Sequence, residues 1–228
     1  MTTVVLGSAS PSRLSILRSG GIEPLVVVST ADEDKLKQEL PSGPQLVQEL
    51  ACCKARNVAS RLATEYPEAA VDALVIGSDS MLLTEEGELI GKPLTVDNTI
   101  KHWQHVRGTT AQLITGHSLI RVTTSITDMY GAEVASYPSA HAVTSTFVTF
   151  GTPSYEDIER YARTGEPLNC AGGFTLEALG GWFIDRIDGD PSNVIGLSLP
   201  TVRRLAADLG IAATSLWNTP LTVETPRK

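Results

Sequence analysis

The stretch Val4-Val5-Leu6-Gly7-Ser8-Ala9-Ser10-Pro11-Ser12-Arg13 decides the fold class, because it predicts a short buried strand that runs directly into a helix. Proline favours the first position of a helix and serine the position before it. We therefore expect a helix that begins at Pro11, with Ser10 as its N-cap. The helix continues to Ser19 and ends at two glycines. A strand followed at once by a helix is typical of an α/β fold.

The start of this helix is also a candidate anion site. Free backbone N–H groups and the positive end of the helix dipole attract negative charge there. Ser8 and Ser10 add hydroxyl donors, and Arg13 adds a guanidinium group that can hold a phosphate with two hydrogen bonds. The same residues also fit an ordinary capped helix with a surface arginine. The segment is not a P-loop, because no Gly-Lys-Ser/Thr sequence follows.

The rest of the chain alternates predicted strands and helices. Short apolar runs predict strands at 25–28 and 73–76 and a hairpin that joins 81–83 to 89–90. The predicted helices are 45–64, 96–106, 154–163 with Pro153 at its start, and 202–209. Long antiparallel strands are predicted at 113–124 and 133–150. A loop is predicted at 30–44. This order predicts an α/β fold with a mixed β-sheet. We expect one domain at 1–210 and a C-terminal tail at 211–228.

Composition excludes several classes of protein. The 228 residues are 42% hydrophobic and 19% charged, which is typical of a globular protein and not of a disordered one. The formal net charge of −8 disfavours nucleic acid as a partner. The apolar runs are too short for a membrane helix. Three cysteines without zinc-site spacing predict a protein of the reducing cytoplasm.

Two charged residues lie within apolar patterns. Lys54 falls between Leu50 and Val58 on the apolar stripe of the predicted helix 45–64, so its ammonium group needs either solvent or a negative partner. Asp79 follows the predicted strand 73–76, and the carboxyl ends of strands are where ligands bind in open α/β sheets. A partly buried carboxylate there acts as a base or as a metal ligand. The alternatives are a snorkelling lysine and a turn aspartate that caps a backbone N–H.

Two further segments carry candidate site residues. Asp32-Glu33-Asp34 is an acidic cluster able to hold Mg²⁺, although such a cluster is also typical of a solvated loop. Gly91-Lys92-Pro93 follows the predicted hairpin and offers a lysine at a fixed place, or a plain surface lysine.

Together these segments resemble the Maf family of nucleoside triphosphate pyrophosphatases, from Val4 to about Leu209. The matching stretches, in chain order, are Ser8-Ala9-Ser10-Pro11-Ser12-Arg13, Asp32-Glu33, Leu50-Ala51-Cys52-Cys53-Lys54-Ala55, Gly77-Ser78-Asp79-Ser80, Gly91-Lys92-Pro93, Gly165-Glu166-Pro167, Ala171-Gly172 and Asn193-Val194-Ile195-Gly196-Leu197. Their order and spacing are specific as a set, although no single stretch is.

The resemblance implies hydrolysis of a nucleoside triphosphate to the monophosphate and pyrophosphate, with a divalent metal such as Mg²⁺ or Mn²⁺. It implies an elongated α/β fold with two lobes around a cleft, akin to inosine triphosphatases, and often a homodimer. It assigns Asp79 as the catalytic acidic residue and Glu33 as an acidic site residue. The positions that it assigns to phosphate are Ser8, Arg13, Lys54 and Lys92. Members of the family have also been linked to arrest of cell division and septum formation.

From these assignments we expect Asp79 to deprotonate a water molecule that attacks the α-phosphorus, with the metal held partly by Glu33 and Asp79. The local positive charge would come from the arginine, the two lysines and the helix N-terminus. Removal of modified nucleotides before they enter nucleic acids is the expected cellular role. The alternatives are a nucleotide-binding regulator of septum formation without catalysis, and a phosphatase that removes the terminal phosphate.

Three positions depart from the family pattern and bear on the choice of base. Ser12 stands where many relatives have arginine, Ser80 where the dTTP/UTP-cleaving branch has threonine, and Glu177 where that branch has glutamine. A carboxylate only accepts hydrogen bonds, and guanine offers two adjacent donors whereas uracil and thymine offer one between two carbonyls. These residues therefore favour a guanine-type base, such as that of 7-methyl-GTP, over dTTP or UTP. Glu177 would have no such effect if it pointed into solvent.

Overall fold

One mixed β-sheet forms the centre of the fold. A computed structural model describes residues 1–40, 43–127 and 133–219 of the chain. The strands of the sheet are β1 (Thr3–Leu6), β2 (Leu25–Val26), β3 (Asp72–Leu83), β4 (Leu89–Ile90), β5 (Thr110–Thr127), β6 (Glu133–Ser136), β7 (Ser139–Phe150) and β8 (Ile184–Asp188). Their order is β2-β1-β3-β5-β7-β8, with β4 beside β3 and β6 beside β5. β1 runs parallel to β2 and β3, and the other pairs are antiparallel, which confirms the predicted mixed sheet.

Helices flank this sheet. They are α1 (Pro11–Ser19), α2 (Glu33–Glu39), α3 (Pro44–Glu65), α4 (Val96–Val106), α5 (Tyr155–Arg163), α6 (Pro191–Ile195) and α7 (Leu199–Asp208). α1 and α4 have the predicted bounds, and α3 extends one residue beyond its prediction at each end. The predicted start of α5 was wrong: Ser154 is the N-cap with a capping box, so Pro153 precedes the helix. Within the described ranges, no helix combines the length and the hydropathy needed to cross a bilayer.

The prediction of a loop over 30–44 was wrong, because α2 lies within it. The side chain of Asp32 caps this helix by accepting a hydrogen bond from the backbone N–H of Asp34. Lys37 pairs with Glu33 one turn earlier on the exposed surface. None of the α2 residues is buried. A helix without an apolar stripe gives no hydrophobic periodicity, so the polar sequence concealed it.

Two strand predictions also needed correction. The predicted strand 133–150 is divided into β6 and β7 at Tyr137 and Pro138, because proline has no N–H to donate to the sheet. The predicted strand 73–76 is the first part of β3, which continues without a break through Asp79 to Leu83. Asp79 therefore lies inside a long strand and not at the end of a short one.

Two glycines bring α3 close to the sheet. A Cβ atom at Gly77 of β3 would overlap the backbone of Ala51 and Ala55 in α3, and one at Gly116 of β5 would overlap the backbone of Val47. The helix can lie this near only because both strands lack side chains at these points. Gly77 and Asp79 point to the same face of β3, since alternate residues share a face, so Asp79 faces α3.

The long strands pack into apolar clusters at both of their ends. At one end, Leu74 and Ile76 pack with α1 and α7, while Val75 on the other face packs with α3. At the opposite end, Leu82 belongs to a separate cluster built around Trp103. These two apolar ends correspond to the two lobes that the family resemblance implies. The more polar part of β3, residues 77–81, lies between them.

The segment after α7 continues the core through residue 219. Ile211 and Leu216 are buried in the same cluster as α1 and α7. Asn218 exchanges hydrogen bonds with the backbone of Glu23. The last part of the expected tail, residues 220–228, lies outside the described residues.

Candidate active site

The site lies where one edge of β3 is free. β1 pairs with β3 only as far as Ile76, and β4 pairs with it only at Leu82 and Leu83. Among the described residues, the edge of β3 from 77 to 81 therefore has no strand beside it. β1 ends at this gap and leads into the loop before α1. The strand whose carboxyl end faces the site is thus β1. The sequence instead predicted the site at the carboxyl end of the strand 73–76, which is part of β3.

Lys54 joins two carboxylates on the α3 face of this gap. Its Nζ lies 2.6 Å from Asp79 Oδ1 and 3.2 Å from Glu33 Oε1. The side chains of Lys54 and Asp79 are only 11% and 15% exposed, and that of Glu33 is 33% exposed. Lys54 therefore has two negative partners, Asp79 and Glu33, where the sequence predicted the need for one. A charged group this deeply buried is stabilised only by such pairing.

Arg13 approaches the gap from the other face of the sheet. Its Nε donates to the carbonyl oxygen of Gly196 at 2.9 Å, its Nη1 to Ser8 Oγ at 3.1 Å and its Nη2 to Ser80 Oγ at 3.2 Å. Ser80 follows Asp79 in β3 and so points to the opposite face. Its hydroxyl also shares a hydrogen bond with Thr115 at 2.9 Å.

Electrostatics connect the two faces. Burial lowers the pKa of the Arg13 guanidinium below its ordinary value, and the charges of Asp79 and Glu33 oppose that shift. Arginine titrates so far above neutrality that it keeps its charge under these conditions. The gap therefore holds two cations, Arg13 and Lys54, beside two carboxylates.

The loop before α1 has the predicted capping geometry. Ser10 is the N-cap, and its Oγ accepts from the backbone N–H of Arg13 at 3.4 Å. The backbone N–H of Ser10 in turn donates to Ser8 Oγ at 3.2 Å. Pro11 is the first helical residue, and Ser12 follows in the first turn, half-buried. The N-terminus of α1 thus opens beside Arg13.

Lys92 and Glu177 form a separate group. Both are exposed, and the charges of both act on the half-buried thiol of Cys170. Burial and then the charges of Glu177 and Glu166 raise the pKa of Cys170, whereas Lys92 lowers it. In the part of the chain that the structure describes, neither Lys92 nor Glu177 contacts Asp79 through a hydrogen bond or an ion pair. The structure brings Arg13, Lys54, Glu33 and Asp79 together, but not these two.

Glu166 is a structural residue of the site that the sequence argument did not assign. Its Oε1 accepts from Thr175 Oγ1 and, at 3.2 Å, from the backbone N–H of Gly180. Tyr161 supports the same segment by accepting from the backbone N–H of Thr175 at 3.1 Å. These bonds fix both ends of the loop that carries Glu177. The stretch Gly165-Glu166-Pro167 was the signal for this residue, but its partners lie 9 and 14 positions further along the chain and gave no local pattern.

A second residue that the sequence left unassigned is His117 of β5. It is fully buried, and its Nε2 accepts from the backbone N–H of Ser198 at 2.9 Å. This bond holds the chain that follows Gly196, whose carbonyl binds Arg13. Burial, and then the charge of Arg13, lower the pKa of His117 to about 4. The imidazole is therefore neutral at pH 7 and accepts this bond.

Glu33 and Asp79 offer carboxylate oxygens, the ligand type that a hard divalent cation such as Mg²⁺ prefers. Within the described residues, no cluster of three or more acidic, histidine or cysteine side chains is arranged to hold a metal. Glu33 and Asp79 nevertheless meet at one cation, the ammonium group of Lys54. Mg²⁺ sites in enzymes of phosphate chemistry commonly use one or two carboxylates, with the other ligands from water and the substrate.

The chain belongs to the family of Maf-like proteins, whose family model matches residues 3–209. It is 51% identical over 218 residues to a protein of Mycolicibacterium smegmatis and 49% identical over 222 residues to one of Rhodococcus opacus, both named nucleoside triphosphate pyrophosphatase. Each alignment covers 96% of this chain and 98% of the relative. Among solved structures, the chain is similar to the Ham1 protein of Staphylococcus aureus, with a TM-score of 0.32 and 17% identity over 64% of this chain and 71% of that chain.

Proposed function

We propose that this chain hydrolyses a nucleoside triphosphate to the monophosphate and pyrophosphate. Family membership and the names of the relatives support this activity. The observation that carries the proposal is the arrangement of Asp79, Lys54 and Glu33 at the free edge of β3, beside Arg13. A carboxylate held next to two cations suits attack on a phosphoanhydride, because the cations stabilise the charge that develops on phosphate oxygens.

Asp79 is the proposed catalytic base. Its carboxylate accepts a proton from a water molecule, and the water oxygen forms a bond to the α-phosphorus. The bond from that phosphorus to the bridging oxygen breaks, and pyrophosphate leaves with the electron pair. Before the substrate binds, Lys54 holds this carboxylate in place through its 2.6 Å contact with Oδ1. Positioning and electrostatic stabilisation are the main contributions that a protein makes to phosphoryl chemistry.

The phosphates are proposed to bind at the N-terminus of α1 and on the basic side chains. Ser8, Ser10 and Arg13 surround that N-terminus, and Arg13 has guanidinium N–H groups beyond the three that it already uses. Lys92 would reach the substrate from the separate group near Cys170. Glu33 and Asp79 would hold Mg²⁺ or Mn²⁺ together with phosphate oxygens. When bound, such a cation supplies neutralisation of the triphosphate charge.

The base is proposed to be of the guanine type, as in 7-methyl-GTP. Glu177 lies on a loop whose ends are held by Glu166, and its Oε2 accepts from the backbone N–H of Leu176 at 3.1 Å, which leaves Oε1 for a ligand. As an acceptor, it matches the two donors of guanine better than it matches uracil or thymine. Ser12 and Ser80 are the other proposed specificity positions. Ser80 would act through Arg13, which it contacts.

In the cell, the proposed role is the removal of modified nucleotides before they enter nucleic acids, with any effect on cell division secondary to that chemistry. The three free cysteines suit a reducing compartment such as the cytoplasm. A homodimer is proposed on the family resemblance alone. A regulator of septum formation without catalysis is the second candidate. The buried pair of Lys54 and Asp79 favours the enzyme, because a pure binding protein gains little from a costly buried ion pair.

Product analysis tests this proposal. The protein would be incubated with UTP, dTTP, CTP, GTP, 7-methyl-GTP or ITP in the presence of Mg²⁺ or Mn²⁺, and pyrophosphate and orthophosphate would be measured separately. We expect pyrophosphate, with the fastest release from a guanine-type nucleotide. Orthophosphate as the first product would indicate removal of the terminal phosphate. No release by a protein that is folded, as judged by circular dichroism, would favour the non-catalytic regulator.

A further inference from the structure

Lys54 occupies the position between Asp79 and Glu33 in which a bound cation would contact both carboxylates. Its ammonium group is within 3.2 Å of an oxygen of each. The side chains of Lys54 and Asp79 are largely buried, so solvent screens this contact only weakly. One ammonium group therefore contacts an oxygen of each carboxylate that the proposed metal site would use.

We infer that the ammonium group of Lys54 occupies the place of the divalent cation in the free enzyme. The substrate is then the metal–nucleotide complex, and the metal does not bind to the enzyme before the nucleotide. This inference rests on the proposed function and deepens it. On binding of the complex, the ammonium group of Lys54 leaves the carboxylates and contacts a phosphate oxygen. Asp79 and Glu33 are thereby released to contact the metal.

The charge balance of the site supports this order. In the free enzyme, Lys54 and Arg13 carry two positive charges against the two negative charges of Asp79 and Glu33, so these four groups together give a lone divalent cation no net attraction. A triphosphate brings several negative charges, and it attracts both the metal and the lysine. Mg²⁺ also needs more oxygen ligands than the two carboxylates provide, and phosphates supply them.

The side chain of lysine suits such an exchange. Lysine carries a compact charge on a flexible stem with four carbons, so the ammonium group can move while the backbone of α3 stays in place. The backbone of α3 is fixed near the sheet by Gly77 and Gly116. Lys37 on α2 also approaches Glu33, at 3.8 Å, but it is much more exposed and does not contact Asp79. Of these two lysines, only Lys54 contacts both Asp79 and Glu33.

Direct measurement of Mn²⁺ binding by electron paramagnetic resonance tests the inference without turnover. The probes are Mn²⁺ alone and Mn²⁺ with α,β-methylene-GTP, in which the bond that would be cleaved is replaced. The proteins are the wild type, Lys54→Met, Lys54→Arg, Lys37→Met and the double variant Lys54→Met/Asp79→Asn. Lys37→Met is the matched control, because it removes a lysine that contacts Glu33 and Asp34 but not Asp79.

We expect the wild type, Lys54→Arg and Lys37→Met to bind Mn²⁺ alone weakly, and Lys54→Met to bind it on the order of tenfold or more tightly. The methylene analogue should strengthen Mn²⁺ binding by the wild type, and the double variant should lose the gain of Lys54→Met. Equal binding of Mn²⁺ alone by the wild type and a folded Lys54→Met would overturn the inference. If Lys54→Met does not fold, the wild type alone decides. Mn²⁺ binding by the wild type that is equally tight with and without the methylene analogue would then overturn the inference. The proposed hydrolysis is scored separately, by pyrophosphate release from the wild type at saturating Mn²⁺.

Discussion

The guanidinium Nη2 of Arg13 donates a hydrogen bond to Ser80 Oγ at 3.2 Å. Arg13 lies in the first turn of α1, and Ser80 directly follows Asp79 in β3. The bond therefore ties the proposed phosphate-binding segment to the strand that carries the proposed catalytic carboxylate. Ser80 also shares a hydrogen bond with Thr115 of β5. One hydroxyl group thus sets the position of Arg13 relative to Asp79.

Replacement of Ser80 tests this connection. Ser80→Ala leaves a buried guanidinium N–H and the Thr115 hydroxyl without this partner, so we expect a loss of about 1–2 kcal/mol in the free energy of unfolding. The KM for the nucleotide should rise, because Arg13 is less well held. Ser80→Thr keeps the hydroxyl and is the matched control. Urea denaturation and steady-state kinetics measure both effects, and identical values for the alanine and threonine variants would contradict the role given to this hydroxyl.

The close approach of α3 to the sheet depends on Gly77. Gly77→Ala places a methyl group against the backbone of Ala51 and Ala55, so α3 must move away. We expect a loss of about 1–3 kcal/mol in the free energy of unfolding, as for other overpacked cores. Activity should also fall, since Lys54 moves with the helix. In the control Gly91→Ala, the added Cβ meets no described atom within 4 Å. Equal urea midpoints for the two variants would count against this packing.

His117 makes stability depend on pH. Its pKa is lowered to about 4 in the folded protein, by burial and then by the charge of Arg13, from an ordinary value of 6.5. Between these values the unfolded chain binds more protons than the folded one, so stability falls as the pH drops from 6.5 to 4. The loss should reach about 3 kcal/mol at pH 4.

The comparison for this prediction is His117→Gln, which keeps an acceptor for the backbone N–H of Ser198 but does not titrate. Urea denaturation of both proteins from pH 7 to pH 4 gives the two dependences. The wild type should lose more stability than the variant across this window. Parallel pH profiles would show that the His117 pKa is not lowered by folding.

Glu177 is expected to set the preference for the base. Glu177→Gln introduces an amide donor, so kcat/KM for UTP should rise relative to that for 7-methyl-GTP. The free energy of unfolding should change little, because the side chain is exposed. Glu156→Gln, an exposed carboxylate paired with Arg160 on α5, is a control of the same chemical type. A ratio of kcat/KM values that is the same in all three proteins would remove Glu177 from base selection.

The sequence predicted those parts of the fold that leave a local pattern. α1 was predicted to the residue because Ser10, Pro11 and the two following glycines mark its ends. α2 was missed because it is polar on all sides, and its cap and ion pairs are too common in loops to be decisive. The break at Pro138 was missed because the β-branched residues that follow it, from Val143 to Thr149, dominate the composition of the predicted strand.

The candidate site was predictable as a set of residues but not as an arrangement. Lys54 was recognisable from its place on an apolar stripe, yet its two partners lie on β3 and α2, far away in the sequence. Arg13 and Gly196 are 183 positions apart in the chain, so no local sequence pattern indicates that they are in contact. The position of Asp79 inside β3 follows from Gly77 and Gly116, which let the strand pass under α3. Such relationships are set by tertiary packing, not by spacing along the chain.

Asp79 is proposed to activate the water molecule that releases pyrophosphate, and the comparison of wild type with Asp79→Asn tests this role most directly. The measurement is pyrophosphate release from 7-methyl-GTP, GTP and UTP at saturating Mg²⁺, with circular dichroism to establish that both proteins are folded. General-base catalysis contributes about 10²–10⁴-fold, so the variant should lose at least about a hundredfold in kcat. An Asp79→Asn variant that is folded and turns over at the wild-type rate would contradict the account.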